Sequence, residues 1–220
     1  MITFRNVSKY YENEPVLKNV NLSIGKGEMV FLTGPTGDGK STLLKLLYAA
    51  ELPDEGEIIL DNFDVGKLST AEVPLLRRSI GVVFQDFKLL ENLSVYDNVA
   101  LALRVRGRKE KEIKSVVLEA LKDIHLRHKL ESYPPTLSGG EQQRVVIARA
   151  MVSEPTVLLA DEPTGNLDPE TSKYVARLFH EANIHGTTIL IATHNRDLYR
   201  NTGKRVLRLD NGVIIGEEIG

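Results

Sequence analysis

One segment of the sequence constrains the fold more than any other, because it places three glycines at short intervals before a lysine and two hydroxyl residues. The segment consists of Gly34, Pro35, Thr36, Gly37, Asp38, Gly39, Lys40, Ser41 and Thr42. It follows an apolar run at residues 29–33 and precedes a leucine-rich helical pattern that begins at Leu43. A glycine-rich turn between a buried strand and a helix surrounds a phosphate with backbone N–H groups and the helix N-terminus. The lysine adds a positive charge and Ser41 an oxygen for Mg²⁺, so the segment predicts a nucleoside triphosphate site.

Short, uninterrupted apolar runs recur along the chain and predict an α/β fold. They lie at residues 29–33, 82–84, 156–160 and 188–192. Runs of this kind are typical of strands buried on both faces of a mainly parallel sheet. Helical patterns alternate with them, and one begins at Asp168 and Pro169, a favourable N-cap and first-turn pair. We therefore predict a P-loop NTPase core with helices packed on a mainly parallel sheet.

An antiparallel β flank and an α-helical insertion are expected around this core. Alternating apolar residues at 2–7 and 16–24 predict antiparallel strands, and residues 210–212, with the sequence Asp-Asn-Gly, predict a hairpin near the C-terminus. Strand patterns are absent from 86–135, where a helix is expected at 111–126 with Ile113, Val116, Val117, Leu121 and Ile124 on its apolar face. We predict one domain over 1–220, with a core at 1–85 and 136–220 and a helical subdomain at 86–135.

The composition limits the classes of function. Hydrophobic residues make up 42% and charged residues 26% of the 220 residues, and the net charge is −2, so no basic field favours nucleic acid. The absence of cysteine excludes disulfides and thiolate chemistry. No apolar stretch approaches the roughly 20 residues of a membrane-spanning helix, and the N-terminus lacks a signal sequence. We expect a cytoplasmic protein that reaches the membrane only through a partner.

Two acidic residues follow the apolar run at 156–160. Asp161 and Glu162 fall where an open α/β sheet binds its ligands, at the carboxyl end of a strand. Asp161 can hold Mg²⁺ and Glu162 can act as general base toward the attacking water. Alone, an apolar run that ends in Asp-Glu is more often an ordinary strand end than a site. The upstream phosphate loop makes the catalytic interpretation the stronger one.

A second phosphate site is indicated at Ser138, Gly139, Gly140 and Glu141. Ser138 and Glu141 form a capping-box pattern, which predicts a helix N-terminus. A capped helix alone gives no reason for two helix-destabilising glycines, whereas a helix start bare of side chains can bind phosphate. One ATP can use only one phosphate loop, so this site is expected to serve the γ-phosphate of a nucleotide held by a second copy of the chain.

Taken in order, these motifs resemble those of the ABC ATPases from about Tyr11 to the C-terminal hairpin. The resemblance implies ATP and Mg²⁺ as ligands and a homodimer with two ATP molecules at its interface. It also implies that Tyr11 stacks on adenine, Gln85 senses Mg²⁺ and the partner, and His194 contacts the γ-phosphate. Ser138 and Gly140 would bind the opposite nucleotide, and Asp168 would communicate across the dimer. Considered alone, Tyr11 could equally be a packing residue, with Tyr10 as a rival. A lone Gln85 or His194 is usually an ordinary polar loop residue.

Within the family, the segments 72–86, 95–101 and 158–168 are most similar to the cell-division members, with lipoprotein-release and macrolide-efflux ATPases as near relatives. The cell-division resemblance implies a small integral membrane partner through which ATP turnover activates cell-wall hydrolases. An exporter ATPase is the alternative. A soluble ABC protein acting on ribosomes or DNA would carry two ATPase units or a long coiled coil, and an ATP-binding scaffold with negligible hydrolysis remains open.

Two further expectations concern Asp38 and the loop after Gln85. Asp38 occupies a position where these families usually carry a small residue, and a carboxylate about 6 Å from a phosphate charge costs about 0.7 kcal/mol in water and about 3 kcal/mol at an effective dielectric of about 20. Asp38 should therefore weaken ATP binding without preventing it. The apolar residues expected to form a partner-docking surface, with local packing as the alternative, are Phe84, itself expected in the core, Phe87, Leu89, Leu90 and Tyr96.

Overall fold

The computed structural model describes residues 1–165 and 167–220 and contains two β-sheets and two groups of helices. The strands are β1 (Ile2–Tyr11), β2 (Glu14–Ile24), β3 (Met29–Thr33), β4 (Glu55–Leu60), β5 (Phe63–Asp64), β6 (Ile80–Val83), β7 (Val157–Asp161), β8 (Thr188–Ala192), β9 (Arg205–Asp210) and β10 (Val213–Ile219). The helices are α1 (Lys40–Leu47), α2 (Val73–Ser79), α3 (Val95–Val105), α4 (Glu110–Asp123), α5 (Gly139–Met151) and α6 (Pro169–Ile184). The α/β prediction is confirmed.

The larger sheet has the strand order β10-β9-β3-β8-β7-β6. Five neighbouring strands, β9 to β6 in that order, run parallel, and β10 pairs antiparallel with β9 through the predicted hairpin. Strands β3, β7 and β8 consist almost entirely of buried residues, as expected for strands covered on both faces. The carboxyl ends of β3, β6, β7 and β8 therefore meet at one edge, where a ligand can bind.

The smaller sheet is antiparallel, with the order β2-β1-β4-β5. Its first pair matches the alternation at residues 2–7 and 16–24, whereas β4, β5 and α2 were not predicted. Strand β4 is short and begins beside Gly56, whose φ of 85° places it in the left-handed region. Such a strand gives little periodic signal, and it forms because β1 supplies the pairing partner.

Three apolar clusters hold the layers together. The first lies between the two sheets and α1, and the second lies between the larger sheet and helices α5 and α6. The third joins α3, α4 and α5. Helix α5 contributes Val146 and Ile147 to the second cluster and Val145 and Ala148 to the third, so it links the core to the helical region.

The helical region contains α3 and α4, but two details of the sequence prediction were wrong. Helix α4 ends at Asp123 rather than at residue 126, because His125 adopts a positive φ of 57° that stops the helix. Val116 is 42% exposed, whereas Ile113, Val117 and Leu121 form the buried face.

The strand expected at 82–84 is β6, which ends at Val83. Phe84 lies beyond its end and is only half-buried, so the assignment of Phe84 to the core was also wrong. Among the described residues, no helix is both long and apolar enough to cross a membrane.

Candidate nucleotide site

The glycine-rich segment forms a loop between β3 and α1 whose backbone requires glycine at its ends. Gly34 has a φ of 154°, and a Cβ there would lie 2.0 Å from the carbonyl oxygen of Leu209. Gly39 has a φ of 98°, and a Cβ there would lie 2.8 Å from the carbonyl oxygen of Val16. Any other residue would have to move these neighbours, so both glycines are needed for the loop to close.

Lys40 is the first residue of α1, and its ammonium lies within the loop. Nζ donates hydrogen bonds to the carbonyl oxygens of Gly34 and Pro35 at 2.8 and 2.7 Å. The side chain is only 7% exposed. A buried ammonium is unfavourable unless its protons have acceptors, and the loop carbonyls provide them. The charge is therefore fixed inside the phosphate loop by the loop itself.

A cavity of about 200 Å³, here called the nucleotide cavity, opens at the carboxyl edge of the larger sheet. It is lined by Thr36, Gly37, Gly39, Lys40, Ser41, Thr42, Gln85, Asp161, Glu162 and His194. These residues come from the phosphate loop, the end of β6, the end of β7 and the end of β8. The structure thus brings together four segments that are distant in sequence.

Asp161 ends β7 at the floor of this cavity. Burial raises the pKa of its carboxyl group, and a hydrogen bond with the Ser41 hydroxyl opposes that shift. Mg²⁺ prefers oxygen ligands and is usually held by one or two carboxylates together with substrate phosphates and water. The Ser41 hydroxyl, the Asp161 carboxylate and the Gln85 amide oxygen are donors of this kind, so the residues present fit the ion.

Glu162 follows β7 directly and has an unusual backbone. Its φ is 44°, in the left-handed region, and its N–H donates to the carbonyl oxygen of Ala192 at 2.9 Å. The Oε2 atom accepts from the Thr193 hydroxyl at 3.0 Å. The Oε1 atom accepts from the backbone N–H of His194 at 3.0 Å and lies 2.7 Å from its ring Nδ1. Strained residues of this kind persist where surrounding contacts fix them, and they cluster at active sites.

The second predicted phosphate site has the expected local structure. Ser138 caps α5, accepting from the Glu141 N–H at 3.3 Å, while Glu141 accepts from the Ser138 N–H at 2.9 Å. Lys129 forms an ion pair with Glu141 at 2.5 Å and, with the Ser138 N–H, lowers the pKa of that carboxyl group. Among the described residues, no heavy atom outside its chain neighbours and its own helix backbone lies within 4 Å of a Cβ built on Gly139, so the helix start is open.

These four residues do not line the nucleotide cavity of their own chain, as far as the described residues go. They lie instead beside the start of α6. A Cβ built on Gly140 would be 3.8 Å from the Thr171 side chain and 3.9 Å from that of Leu167. Asp168 caps α6 by accepting from the Thr171 N–H and hydroxyl at 3.0 and 2.6 Å. The structure therefore groups Asp168 with the second phosphate site and separates both from the first.

Tyr11 and Asp38 lie outside the residues that line the cavity. The Tyr11 hydroxyl contacts the Glu51 carboxylate and the Thr42 hydroxyl, and burial, then the Glu51 bond, raise its pKa. Thr42 belongs to α1, so the Tyr11 side chain reaches the helix that follows the phosphate loop, whereas the backbone N–H of its rival Tyr10 binds Asp54. In Asp38, Oδ2 is buried, and no hydrogen-bond partner for it exists among the described residues.

Sequence reasoning missed two residues that shape the site. Thr193 is fully buried and orients the Glu162 carboxylate, and Glu51 anchors the Tyr11 hydroxyl. Thr193 precedes His194 at the end of a strand, where no local sequence pattern predicts a functional residue. Glu51 lies in a connection between α1 and β4, and only the tertiary fold carries it to Tyr11.

A sequence model of the ABC transporter family matches residues 17–165. The chain belongs to that family. Like other ABC cassettes, it is an ATP-binding and ATP-hydrolysing protein. Its relatives include the protein named "Cell division ATP-binding protein FtsE" from Bacillus subtilis (strain 168), which is 47% identical over 99% of this chain and 96% of the relative. Proteins of the same name from Mycobacterium tuberculosis and Escherichia coli K12 are 50% and 48% identical and are covered over 96% and 98% of their lengths.

Solved ABC cassettes share the whole fold. The ATP-binding cassette MJ0796, described as a dimeric post-hydrolysis state bound to ADP and phosphate, superposes with a TM-score of 0.93 at 38% identity, over 100% of this chain and 98% of that one. A second dimeric structure of MJ0796 gives the same TM-score at 39% identity. The ABC resemblance and the α/β cassette fold predicted from the sequence are both confirmed.

Proposed function

We propose that this chain acts as the ATPase subunit of a cell-division complex of the FtsE type, working as a homodimer on an integral membrane partner resembling FtsX. It would then lie in the cytoplasm on the inner face of the plasma membrane. The observation that supports this most strongly is the similarity over nearly full length to relatives named as cell-division ATP-binding proteins. In this role ATP turnover drives a change in the partner rather than the export of a substrate.

In the proposed reaction, the phosphate loop binds the β- and γ-phosphates through its backbone N–H groups and Lys40. Ser41, Asp161 and Gln85 would hold Mg²⁺, which would neutralise charge on the phosphates. Glu162 accepts a proton from the attacking water, and His194 contacts the γ-phosphate. Because the carboxylate is an acceptor, the proton between Glu162 and His194 lies on Nδ1, which leaves Nε2 for the ligand. Tyr11 stacks on the adenine.

The homodimer completes the site that each chain leaves open. Ser138, Gly139, Gly140 and Glu141 form a helix start whose first two residues are exposed, and none of the four is among the described residues that line the nucleotide cavity of their own chain. A helix N-terminus with free N–H groups favours an anion, and the γ-phosphate of ATP bound to a second copy is the anion of the right kind. Asp168, beside this helix start, would then face the interface. Two chains arranged by a twofold axis give two such composite sites.

The membrane partner is proposed to dock in a groove of about 380 Å³ next to the nucleotide cavity. This docking groove is lined by Asp86, Phe87, Lys88, Leu89, Glu91, Pro134, Pro135 and Gln142. Its lining combines apolar side chains with charged ones, a mixture that suits the end of an amphipathic helix. Phe87 and Leu89 were expected at this surface and line it, Leu90 is 42% exposed beside them, and Phe84 and Tyr96 do not line it.

The loop that forms one wall of the groove is anchored by a buried amide. Asn98 on α3 accepts from the Leu90 N–H at 2.9 Å and donates to the carbonyl oxygens of Leu90, Leu93 and Ser94 at 3.0 to 3.1 Å. The side chain of Asn98 is fully buried. Residues 84–94, here called the Gln85 loop, are thereby tied to the helical region at one end and reach the nucleotide cavity at the other.

Complementation tests the proposed role directly. The gene for this chain, expressed together with its own membrane partner, should restore normal division to a Bacillus subtilis strain that lacks its FtsE and the cognate partner. The Lys40→Ala variant is the matched control and should fail. Division that stays defective while the expressed complex hydrolyses ATP would reject the division role and favour an exporter ATPase.

A further inference from the structure

Two consecutive residues of the Gln85 loop have an unfavourable backbone. Phe87 has a φ of 61° and Lys88 a φ of 49°, so both lie in the left-handed region. Residues other than glycine, and bulky ones above all, are uncommon there and persist only where surrounding contacts hold them. Their own N–H groups bond locally, to the carbonyl oxygens of Phe84 and Asp86. The left-handed conformation of the turn therefore depends on the groups that donate hydrogen bonds to its carbonyl oxygens.

Arg149 of helix α5 binds both of those carbonyl groups. Its two terminal nitrogens donate to the carbonyl oxygens of Lys88 at 2.7 Å and Phe87 at 2.9 Å. Burial lowers the pKa of this guanidinium, and none of the described residues forms a salt bridge with it. A charged group with no carboxylate partner depends on these two acceptors. The turn thus provides hydrogen-bond acceptors for the guanidinium, and the guanidinium provides donors for the carbonyl groups of the turn.

This contact connects three functional regions. Gln85, two residues before the turn, lines the nucleotide cavity, whereas Phe87 and Lys88 line the docking groove. Arg149 lies in the last turn of α5, the helix whose first turn is the second phosphate site. Secondary-structure elements can carry coupling between two sites, so a hydrogen bond at one end of α5 can act on the other end.

We propose that Arg149 is a positioning residue that holds the left-handed turn of the Gln85 loop and links it to α5. It orients Gln85 toward the nucleotide cavity. When an occupant of the docking groove shifts the Gln85 loop, Arg149 transmits that shift to α5. The inference rests on the role proposed above for Gln85 and adds the residue through which that role depends on α5.

Steady-state ATPase assays and nucleotide titrations test this with Arg149→Met and Arg149→Lys. Methionine removes both hydrogen bonds, and lysine keeps the charge but lacks the planar fork that reaches two carbonyls. We expect ATP affinity to stay within about twofold, because the phosphate loop and the proposed Mg²⁺ ligands Ser41 and Asp161 are untouched. We expect kcat to fall about ten- to a hundredfold, as for a misplaced catalytic group. Arg106→Met and Arg106→Lys are the matched controls, since Arg106 also donates to two backbone carbonyls, those of Arg78 and Ser153, away from the loop.

The double variant with Gln85→Ala separates positioning from general destabilisation. If Arg149 acts through Gln85, Gln85→Ala combined with Arg149→Lys should have the kcat of Gln85→Ala alone, whereas the Arg106 variants should combine additively with it. Lys88→Gly should restore much of the kcat of Arg149→Lys, because glycine adopts the left-handed turn without support. A purely structural arginine would not be rescued by a substitution in the loop.

Each result decides between two readings. Additive effects of Arg149 and Gln85, or no rescue by Lys88→Gly, would overturn the positioning role, as would an Arg149→Lys protein that fails to fold while Arg106→Lys folds. A Gln85→Ala protein with parental kcat would instead overturn the proposed role of Gln85 itself. The failure of the inference and the failure of the proposed function are thus distinguishable.

Discussion

The Oε1 atom of Glu162 lies 2.7 Å from ring Nδ1 of His194 and accepts a hydrogen bond from the same residue's backbone N–H at 3.0 Å. This pairing joins the end of β7 to the end of β8 at the edge of the nucleotide cavity. The Glu162 side chain is 11% exposed, whereas that of His194 is 64% exposed. The carboxylate is therefore fixed by its neighbours and the imidazole is accessible to a ligand.

Substituting Glu162→Gln should preserve Mg-ATP binding and reduce kcat by at least about a hundredfold. The amide keeps the shape of the side chain but cannot accept the proton of the attacking water, a contribution of roughly a hundred- to ten-thousandfold. Nucleotide titration and a phosphate-release assay measure the two effects separately. Lys40→Ala is the contrasting variant and should lose affinity. Near-parental hydrolysis by the Glu162→Gln protein would show that another group acts as the base.

Dimerisation should require ATP and an open start of α5. The Glu162→Gln protein should double in mass by light scattering when ATP is added, because each ATP joins one phosphate loop to the opposite helix N-terminus, and ADP should not suffice. Adding Ser138→Arg should abolish the dimer, since it removes the cap and fills the helix start. An ATP-independent dimer that tolerates Ser138→Arg would contradict the composite site.

Replacing Asp38 with serine should strengthen ATP binding at least about threefold, the lower limit of the electrostatic penalty in water. Its Oδ2 atom is buried, and none of the described residues provides it with a hydrogen-bond donor. Calorimetric titration with ATP measures the change, and Asp38→Asn controls for charge at constant shape. Unchanged affinity in both variants would mean that Asp38 does not act on the phosphates.

Substituting Leu89 and Leu90 together by serine should prevent co-purification with the membrane partner. Leu89 lines the docking groove and Leu90 is exposed beside it, so the change removes apolar contact area from the proposed interface. ATP affinity of the isolated subunit should change by less than about twofold, because neither side chain lines the nucleotide cavity. Val105→Ser, at a residue that is 56% exposed on α3, is the matched surface control and should retain the partner.

Partner binding that survives the double substitution would move the docking site elsewhere. A marked loss of thermal stability would instead assign Leu89 to packing, the alternative that the sequence leaves open. Leu89 is half-buried and packs against two of the apolar clusters, so circular dichroism melting should accompany the binding assay.

Gly34→Ala should destroy nucleotide binding rather than merely weaken it. The new methyl group would lie 2.0 Å from the carbonyl oxygen of Leu209, and that oxygen belongs to the backbone of β9 and cannot move without breaking the sheet. The phosphate loop would therefore open. Gly37→Ala is the control, because no described residue other than its chain neighbours lies within 4 Å of a Cβ there, although its φ of 95° still carries strain. Equal ATP affinity in the Gly34→Ala and parental proteins would refute this account of the loop.

The sequence by itself determined the parts of this protein whose physics is local. The phosphate loop needs glycine for its turn and lysine for its charge, the capping box of Ser138 and Glu141 spans one helical turn, and solid apolar runs predict buried strands. Each of these patterns lies within about ten residues, the range over which backbone sterics and helix capping act. For this reason the sequence alone indicated the fold class, the ATP ligand and the order of the motifs.

Only the tertiary structure decided which distant residues meet. The order of the strands brings Gln85, Asp161, Glu162 and His194 to one edge, and no local pattern encodes that order. The same holds for the hydrogen bond from Thr193 to Glu162 and for the hydrogen bond from Arg149 to Lys88, which lies 61 residues earlier. These contacts form because the apolar strands and helices pack in one arrangement. The free energy that stabilises this arrangement comes from the whole core, and the arrangement places the polar groups at the ends of the elements next to one another.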